Sequence, residues 1–303
     1  MAEKDKIIKA IEKHRWAYAE RELLKHLKAK PNDLELLLLL RNLYWEKKDD
    51  QKAFKIAKKA YTLAPNNPMV LWGYATCMSN IYKEQDAIKL YNKILRKRNE
   101  TLVKTIDIRT PVRAQGFKLD VCVRIGECYA DIGDYENAIT YFKKYLREKK
   151  GNIPSEYSIR GVKKYLKNCL LEYLFNIKRY NQKTYQIAQE AYVSAPNNPN
   201  VLRSFAAWTN NVHRYHEAIK LYKKILRKNE KTLAMYKDIR TLIAAKGFKL
   251  DTCVRIGDCY MSEGDYTHAI PYLKKYLSEK KKSIPTEYNI KTVKDYLKEC
   301  GEK

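Results

Sequence analysis

The sequence predicts an all-α protein built from stacked helix pairs, an α-solenoid, and three observations lead to that fold class. Gly (10) and Pro (9) together make up only 19 of 303 residues, roughly half the usual share, which argues against a turn-rich β fold. The second half of the chain repeats the first at an offset of 131 residues. Within each copy, helix pairs recur about every 34 residues, the spacing of a helix–turn–helix repeat.

Three pairs of matching segments carry the internal repeat. Residues 64–68 (Ala-Pro-Asn-Asn-Pro) recur as residues 195–199. The longer matches are residues 87–97 with 218–228, identical at 10 of 11 positions, and residues 116–129 with 247–260, identical at 12 of 14. The chain is therefore a tandem duplication that follows an extra N-terminal segment.

The helix pairs, taken in order, give the domain organisation. Further pairs after the first are expected to begin near Leu34, Pro68, Leu119, Tyr165, Pro199 and Leu250. We therefore divide the chain into an irregular N-terminal helix pair (1–33), a first repeat array (34–164), a second repeat array (165–285) and a C-terminal capping helix (286–303).

Two kinds of insert lengthen the spacing between pairs. One lies around residues 100–117 and 231–248. It is expected to form a lengthened second helix or an added third helix that ends at Gly247, with a break or kink at Pro111 in the first copy. The other begins Ile-Pro-Ser-Glu or Ile-Pro-Thr-Glu, so Ser155 and Thr286 are expected to cap a lengthened helix.

Small and large residues alternate in register within the helix pairs. The best-matched positions are Ile125, Gly126, Tyr129, Gly133, Ala138 and Phe142, with Ile256, Gly257, Tyr260, Gly264 and Ala269 in the second copy. Small residues let two helices approach closely, and large ones fill the gap between successive pairs. This pattern resembles the tetratricopeptide repeat family, although Arg41 stands where that family usually has a small residue. The resemblance implies a right-handed superhelix whose first helices line a concave groove that binds partner peptides.

Helical spacing places aromatic, amide and charged side chains along that groove. They are Asn42, Trp45, Trp72, Thr76, Asn80, Arg124, Glu127, Tyr173, Asn176, Arg203, Asn210, Asn211, Arg255 and Asp258. Because this line holds few bases, the family's clamp for chaperone C-terminal tails is not expected. Arg124 and Arg255 either face a partner or form ion pairs within their helix, where Asp120 and Asp251 lie one turn away. Anchoring and simple packing at the groove rim both remain open for the two tryptophans.

No catalytic or nucleotide-binding motif is present, so an enzyme is not expected, and no cofactor, metal ion or small-molecule substrate is predicted. His213 and His216 lie at a turn, where solvated turn residues are favoured over half of a metal site. The seven cysteines include no C-x-x-C pair and read as small core thiols. With no apolar leader and no apolar run of membrane-spanning length, we expect a cytoplasmic protein.

The formal net charge is +26, and it comes from 45 Lys and 16 Arg. The bases concentrate outside the groove line, on second helices and inserts. The candidate polyanion-binding residues are Arg96, Lys97, Arg98, Lys104, Arg109, Arg113, Arg227, Lys228, Lys237, Arg240 and Lys246. They form either a phosphate-binding edge or an ordinary solvated face that keeps the solenoid soluble.

Function is therefore expected at the surface of the solenoid. The favoured hypothesis is a protein–protein interaction scaffold or adaptor that binds a peptide or protein segment in the concave groove. The alternative is an RNA- or nucleic-acid-binding helical-repeat protein that uses the basic second helices and inserts. Docking to an anionic membrane surface is a third hypothesis.

Overall fold

A computed structural model describes residues 2–103, 110–175, 182–236 and 239–301, and the chain divides into two compact units, Met1–Cys169 and Leu170–Lys303. Over these residues the secondary structure is helical and contains no strand, as the sequence predicted. The first unit contains α1 (Ala2–Glu12), α2 (Trp16–Ala29), α3 (Leu34–Glu46), α4 (Asp50–Leu63), α5 (Pro68–Asn80), α6 (Glu84–Leu95), α7 (Asn99–Val103), α8 (Pro111–Asp131) and α9 (Tyr135–Glu148).

Helix α10 (Ile159–Phe175) runs through the boundary between the units. The second unit continues with α11 (Gln182–Ser194), α12 (Pro199–Asn211), α13 (Tyr215–Leu226), α14 (Glu230–Ala234), α15 (Leu242–Ser262), α16 (Tyr266–Glu279) and α17 (Ile290–Glu299). The bounds of α5, α6, α8 and α9 recur at the 131-residue offset in α12, α13, α15 and α16.

Each unit is a stack of helix pairs. In the first unit α3 packs on α4, α5 on α6 and α8 on α9, and α4 and α6 contact the first helix of the next pair. In the second unit α12 packs on α13 and α15 on α16, with α13 against α15. The cores lie between these layers, around fully buried side chains such as Tyr91 and Tyr222. The predicted α-solenoid is confirmed.

Repeated local signals start and stop the helices. Asn67 and Asn198 cap α5 and α12 by accepting the backbone N–H of Met69 (2.9 Å) and Asn200 (3.0 Å), and a proline follows each cap at the first helical position. Each first helix whose following turn is described ends two residues before a left-handed residue. These residues are His14, Lys48, Tyr82, Gly133, His213 and Gly264, with φ from 55° to 79°. The described turns that join the two helices of a pair thus share one backbone form.

The prediction for the first insert is wrong in part. The second helices end at Leu95 and Leu226, and the short helices α7 and α14 follow them, but no added helix ends at Gly247. Helix α8 begins at Pro111, where a break was expected, and α8 and α15 extend the next first helix toward its N-terminus. Residues 104–109 and 237–238 of the inserts lie outside the described residues. Gly247 lies inside α15. A Cβ at this position would come 1.8 Å from the Pro285 carbonyl oxygen, so the approach of the loop requires glycine here. The glycine marks a close backbone contact rather than a helix end. The expected pair starts near Leu119 and Leu250 are therefore eight residues late.

The expected caps at Ser155 and Thr286 are wrong as well. Ser158 accepts the N–H of Gly161 (3.0 Å) at the start of α10, and Asn289 accepts the N–H of Thr292 (2.8 Å) at the start of α17. Ser155 and Thr286 lie in the preceding loops, where their hydroxyls bond tyrosine hydroxyls and backbone groups. The sequence Pro-Ser/Thr-Glu is compatible with a helix N-terminus and equally with a loop in which the Ser or Thr side chain hydrogen-bonds the backbone.

Small residues sit where the helices approach most closely. A Cβ on Gly126 would lie 2.7 Å from the Phe142 ring, and Ala138 is fully buried. Arg41, at a position expected to be small, is 7% exposed and its guanidinium lies against Gly73 in the next pair. Within the described part of the chain, no helix combines the length and apolar character that crossing a membrane requires.

Candidate functional site

A loop after the second helix turns back onto the first helix of the same pair, once in each unit. We call residues 149–158 and 280–289 the returning loops. In the first, the Pro154 carbonyl packs against Gly116, where a Cβ would be 1.8 Å from the oxygen. Further along α8, Asp120 accepts the backbone N–H of Glu156 (3.2 Å) and the hydroxyl of Ser155 (2.5 Å). The loop is thereby fixed on the face of α8 that looks toward α5.

The second returning loop is held by the equivalent carboxylate, here through backbone N–H groups. Asp251 accepts the backbone N–H groups of Glu287 (2.9 Å) and Tyr288 (3.3 Å). Burial raises the pKa of Asp120 to about 6 and also raises that of Asp251, although the bonds from the loop oppose the effect. The expectation that these carboxylates pair with Arg124 and Arg255 is wrong, because they are engaged by the returning loops and the arginines bond other acids.

In the first unit, the returning loop and α5 enclose an aromatic cleft of about 360 Å³. The rings of Trp72 and Phe117 lie 5.3 Å apart, and Trp72 also meets the Tyr91 ring at 5.6 Å. Trp72 is 9% exposed and so forms the floor of the cleft rather than a projecting anchor. The lining residues are Met69, Trp72, Arg113, Phe117, Asp120, Pro154, Ser155 and Glu156. We call this the Trp72 cleft.

A charged group borders the Trp72 cleft. The Arg124 guanidinium lies 5.9 Å from the centroids of both the Trp72 and Tyr157 rings and pairs with Glu127 at 3.3 Å. Tyr157 donates its hydroxyl to the same carboxylate at 3.3 Å. Burial raises the pKa of Glu127, while Arg124 acts against that shift. Arg124 therefore forms an ion pair within its helix, as one alternative from the sequence had it, but its partner is Glu127 and not Asp120.

At the equivalent place in the second unit, the chain fills the space itself. Arg203 stands at the position of Trp72, and its guanidinium lies 4.6 Å from the centroid of the Phe248 ring. Glu287 of the returning loop pairs with Arg203 at 2.5 Å and with Arg255 at 2.6 Å. Burial alone would raise the pKa of Glu287, but the two guanidinium groups hold it below its usual value. We call Arg203, Phe248, Glu287 and Arg255 the closed cluster.

The two units also differ in the acidic residue that lies three positions after the arginine on the same helix. Glu127 of the first unit corresponds to Asp258 in the second. Asp258 accepts an amide N–H of Asn210 at 3.3 Å, and burial raises its pKa. Arg255 pairs with Glu287 of the loop instead. Where the acidic residue is the shorter aspartate, Asp258, the arginine therefore pairs with the glutamate of the returning loop.

The remaining predicted groove residues have varied surroundings. Thr76 is buried and bonds the Tyr91 hydroxyl at 2.9 Å, and Asn80 donates to Asp50 at 2.8 Å. Asn42 and Asn211 are exposed, Trp45 and Tyr173 are half-buried, and Asn176 lies outside the described residues. The structure therefore brings together Trp72, Arg124 and Glu127 in one unit, and Arg203 with Arg255 and Asn210 with Asp258 in the other.

The candidate polyanion-binding residues are mostly exposed. The exposed side chains are Arg96, Arg98, Arg113, Arg227 and Arg240, and the half-buried ones are Lys97, Lys228 and Lys246. Lys104, Arg109 and Lys237 lie outside the described residues.

Among the residues with described positions, no group of three or more His, Cys, Asp or Glu could hold a metal ion. His213 bonds the Tyr215 hydroxyl at 2.6 Å and occupies a left-handed turn position, while His216 contacts Glu263 at 2.5 Å.

Sequence reasoning missed one residue of α8 and the residues that the returning loop contributes. Phe117 precedes Leu119, where the helix was expected to begin. Pro154, Glu156 and Tyr157 were not on the predicted groove line, because only first-helix positions were assigned to it. A signal was available in the repeat. Glycine at 116 and at 247 and the Ile-Pro-Ser/Thr-Glu-Tyr string both recur at the same offset, as two surfaces in contact would.

A family comparison identifies the repeat. The family model described as tetratricopeptide repeat matches residues 119–152 and 250–283, which cover most of α8–α9 and α15–α16. The chain therefore contains tetratricopeptide repeats, and the predicted resemblance is confirmed. The two matched segments start 131 residues apart, at 119 and 250.

Solved structures of similar fold come from several proteins. One is a tetratricopeptide repeat protein from Parabacteroides merdae, 16% identical over 98% of this chain and 97% of that one, with a TM-score of 0.42. Another is the C-terminal part of a TPR repeat-containing protein from Cytophaga hutchinsonii, 19% identical over 92% and 97%, with a TM-score of 0.47. A third is YrrB, titled a TPR protein with an unusual peptide-binding site, 16% identical over 73% and 91%, with a TM-score of 0.36. No curated protein matches the chain.

Proposed function

We propose that the chain is a protein-interaction scaffold that binds a segment of a partner protein in the Trp72 cleft. The observation that carries the proposal is the difference between the two units. The same helices and returning loop enclose an open, aromatic cleft in the first unit and a self-filled closed cluster in the second. Concave sites with apolar walls and a few polar groups are the usual places where proteins bind ligands.

The walls of the Trp72 cleft suit an extended segment. Trp72, Phe117, Met69 and Pro154 supply apolar surface, and the returning loop keeps the walls in place through Asp120. Because the cleft is preformed, binding does not have to order a flexible loop, and less of the contact free energy is lost to conformational entropy. The wider groove line predicted from the sequence remains a hypothesis for additional contacts, as does the cytoplasmic location.

Peptide selection tests the proposal. A random dodecapeptide library displayed on phage is selected on the full chain, and the binders are measured against Trp72→Arg. This variant places the residue of the second unit in the first, so it should fill the cleft without disturbing the fold. We expect binding to weaken about thirtyfold or more, because loss of a central aromatic contact commonly costs about 2 kcal/mol.

Tyr82→Arg is the matched control. It adds the same charge to the same unit at an aromatic residue that is 89% exposed and lies outside the cleft lining. Circular dichroism and thermal melting of both variants check the fold. Peptides that bind Trp72→Arg as tightly as the wild type would refute the proposed site.

A further inference from the structure

We propose that the partner segment carries an arginine or lysine whose cationic head lies on the Phe117 ring and pairs with Glu156. This inference rests on the proposed function and names the chemistry of the group that the Trp72 cleft takes. It is drawn from the closed cluster, which shows how the same scaffold binds a cation supplied by its own chain.

The closed cluster has two elements that recognise the guanidinium of Arg203. The Phe248 ring lies under it at 4.6 Å, and the Glu287 carboxylate pairs with it at 2.5 Å. An aromatic face and a carboxylate together are the usual receptor for such a group. Both elements exist in the first unit at the same offset, as Phe117 and Glu156.

The cation is what the first unit lacks. With tryptophan at position 72, no arginine reaches the Phe117 ring from α5. Over the described residues, Glu156 forms no ion pair, and its side chain is exposed at the mouth of the cleft. Arg124, the counterpart of Arg255, acts on Glu156 only through space and forms no ion pair with it in the described structure, because the longer Glu127 holds that guanidinium at 3.3 Å. The two differences between the units, Trp72 in place of Arg203 and Glu127 in place of Asp258, therefore leave the Glu156 carboxylate available to a cation from a partner.

Arg113 is the one base on the cleft lining, and it does not replace the missing group. It is exposed, and no ion pair joins it to Glu156 in the described structure. The second unit has Ala244 at that position. Arg113 therefore repels an incoming cation from the rim, and its removal should strengthen the binding of basic peptides.

The test uses the peptides that the selection above yields. We expect every peptide whose binding depends on Trp72 to share an arginine or lysine. For the tightest peptide, exchanging that arginine for its neutral isostere citrulline, or the protein change Glu156→Gln, should each weaken binding about tenfold. The two changes together should cost little more than either alone, because each removes the same pair. Arg113→Ala should tighten the parent peptide and leave the citrulline peptide unchanged.

A gain-of-function variant guards against a purely structural role for Glu156. Arg203→Trp combined with Asp258→Glu gives the second unit the first unit's residues at these two positions, so the titrated stoichiometry should rise from one peptide to two. Peptides that depend on Trp72 but share no base, prefer acidic residues, or bind Glu156→Gln unchanged would overturn this inference and leave the proposed function standing. A selection that yields no Trp72-dependent peptide would overturn both.

Discussion

Replacing Gly116 with alanine should unlock the returning loop of the first unit. The added methyl would come 1.8 Å from the Pro154 carbonyl oxygen, whereas a carbon normally stays about 3.3 Å or more from such an oxygen. The loop backbone must then move by roughly 1.5 Å. No side-chain rotation can relieve the contact, because both partners are fixed to the main chain.

The expected cost follows from what that movement breaks. Overpacking of this kind costs about 1–3 kcal/mol. Displacing Glu156 also weakens the bond from its N–H to the Asp120 carboxylate (3.2 Å), and a bond to a charged group contributes about 1.5–3 kcal/mol. Alanine's higher helix propensity returns about 1 kcal/mol. The net destabilisation should be about 2–4 kcal/mol, or roughly 4–16 °C in melting temperature for a unit of this size.

Thermal melting followed by circular dichroism measures the global effect, and hydrogen exchange of the Glu156 amide measures the local one. Gly151→Ala is the control, since that glycine lies in the same loop and a Cβ there would have no atom within 4 Å. It should melt at or slightly above the wild-type temperature. A Gly116→Ala protein that melts no lower than wild type, with unchanged exchange at Glu156, would refute the packing argument.

Four further outcomes are expected. Tyr82→Gly should raise stability by about 0.5–1 kcal/mol in chemical denaturation, because Tyr82 is exposed with φ of 61°. Burial raises the pKa of Asp120 to about 6, so its protonated form is favoured in the folded state and unfolding free energy should fall as pH rises from about 4 to 6; Asp120→Asn should flatten that part of the profile. Ala138→Leu and Ala269→Leu should each cost about 1–3 kcal/mol and add independently, as melts of the single and double variants will tell. For weak RNA binding, neutralising exposed bases with glutamine should leave the slope of log affinity against log salt nearly unchanged, whereas a fall of about 0.7–0.9 per lost contact would favour the nucleic-acid alternative; the bases are Arg96, Arg98, Arg227 and Arg240.

Sequence periodicity was enough to locate helices wherever the pair follows a short turn. The predicted starts at Leu34, Pro68 and Pro199 are the observed ones, because an Asp or Asn cap, followed in two cases by proline, is a strong local signal. The predicted start at Leu119 failed for a non-local reason. Gly116 is inside a helix because a loop almost forty residues later packs against it, and a single-segment pattern reads such a glycine as an end.

The candidate site was predictable only on its helical side. Trp72 and Arg124 were assigned to the groove from helical spacing alone, and they do lie together. The loop residues of the site could not be predicted, because the local sequence around Pro154 and Glu156 does not indicate which helix they contact. Their position depends on Asp120, a buried carboxylate whose partners are backbone N–H groups, and such partners leave no trace in residue type.

The duplication explains how one scaffold comes to carry two different surfaces. The glycine, the buried aspartate and the returning loop are the same in both units, so the position of the loop glutamate is set by the backbone in each. What differs is the supply of cations around that glutamate. Arginine at position 203 and a short acid at 258 give Glu287 two guanidinium partners, whereas tryptophan at 72 and a long acid at 127 leave Glu156 with none in the described structure. A carboxylate that lies beside an aromatic ring and forms no ion pair in the described structure is a receptor for a cation, and its equivalent in the second unit is already occupied.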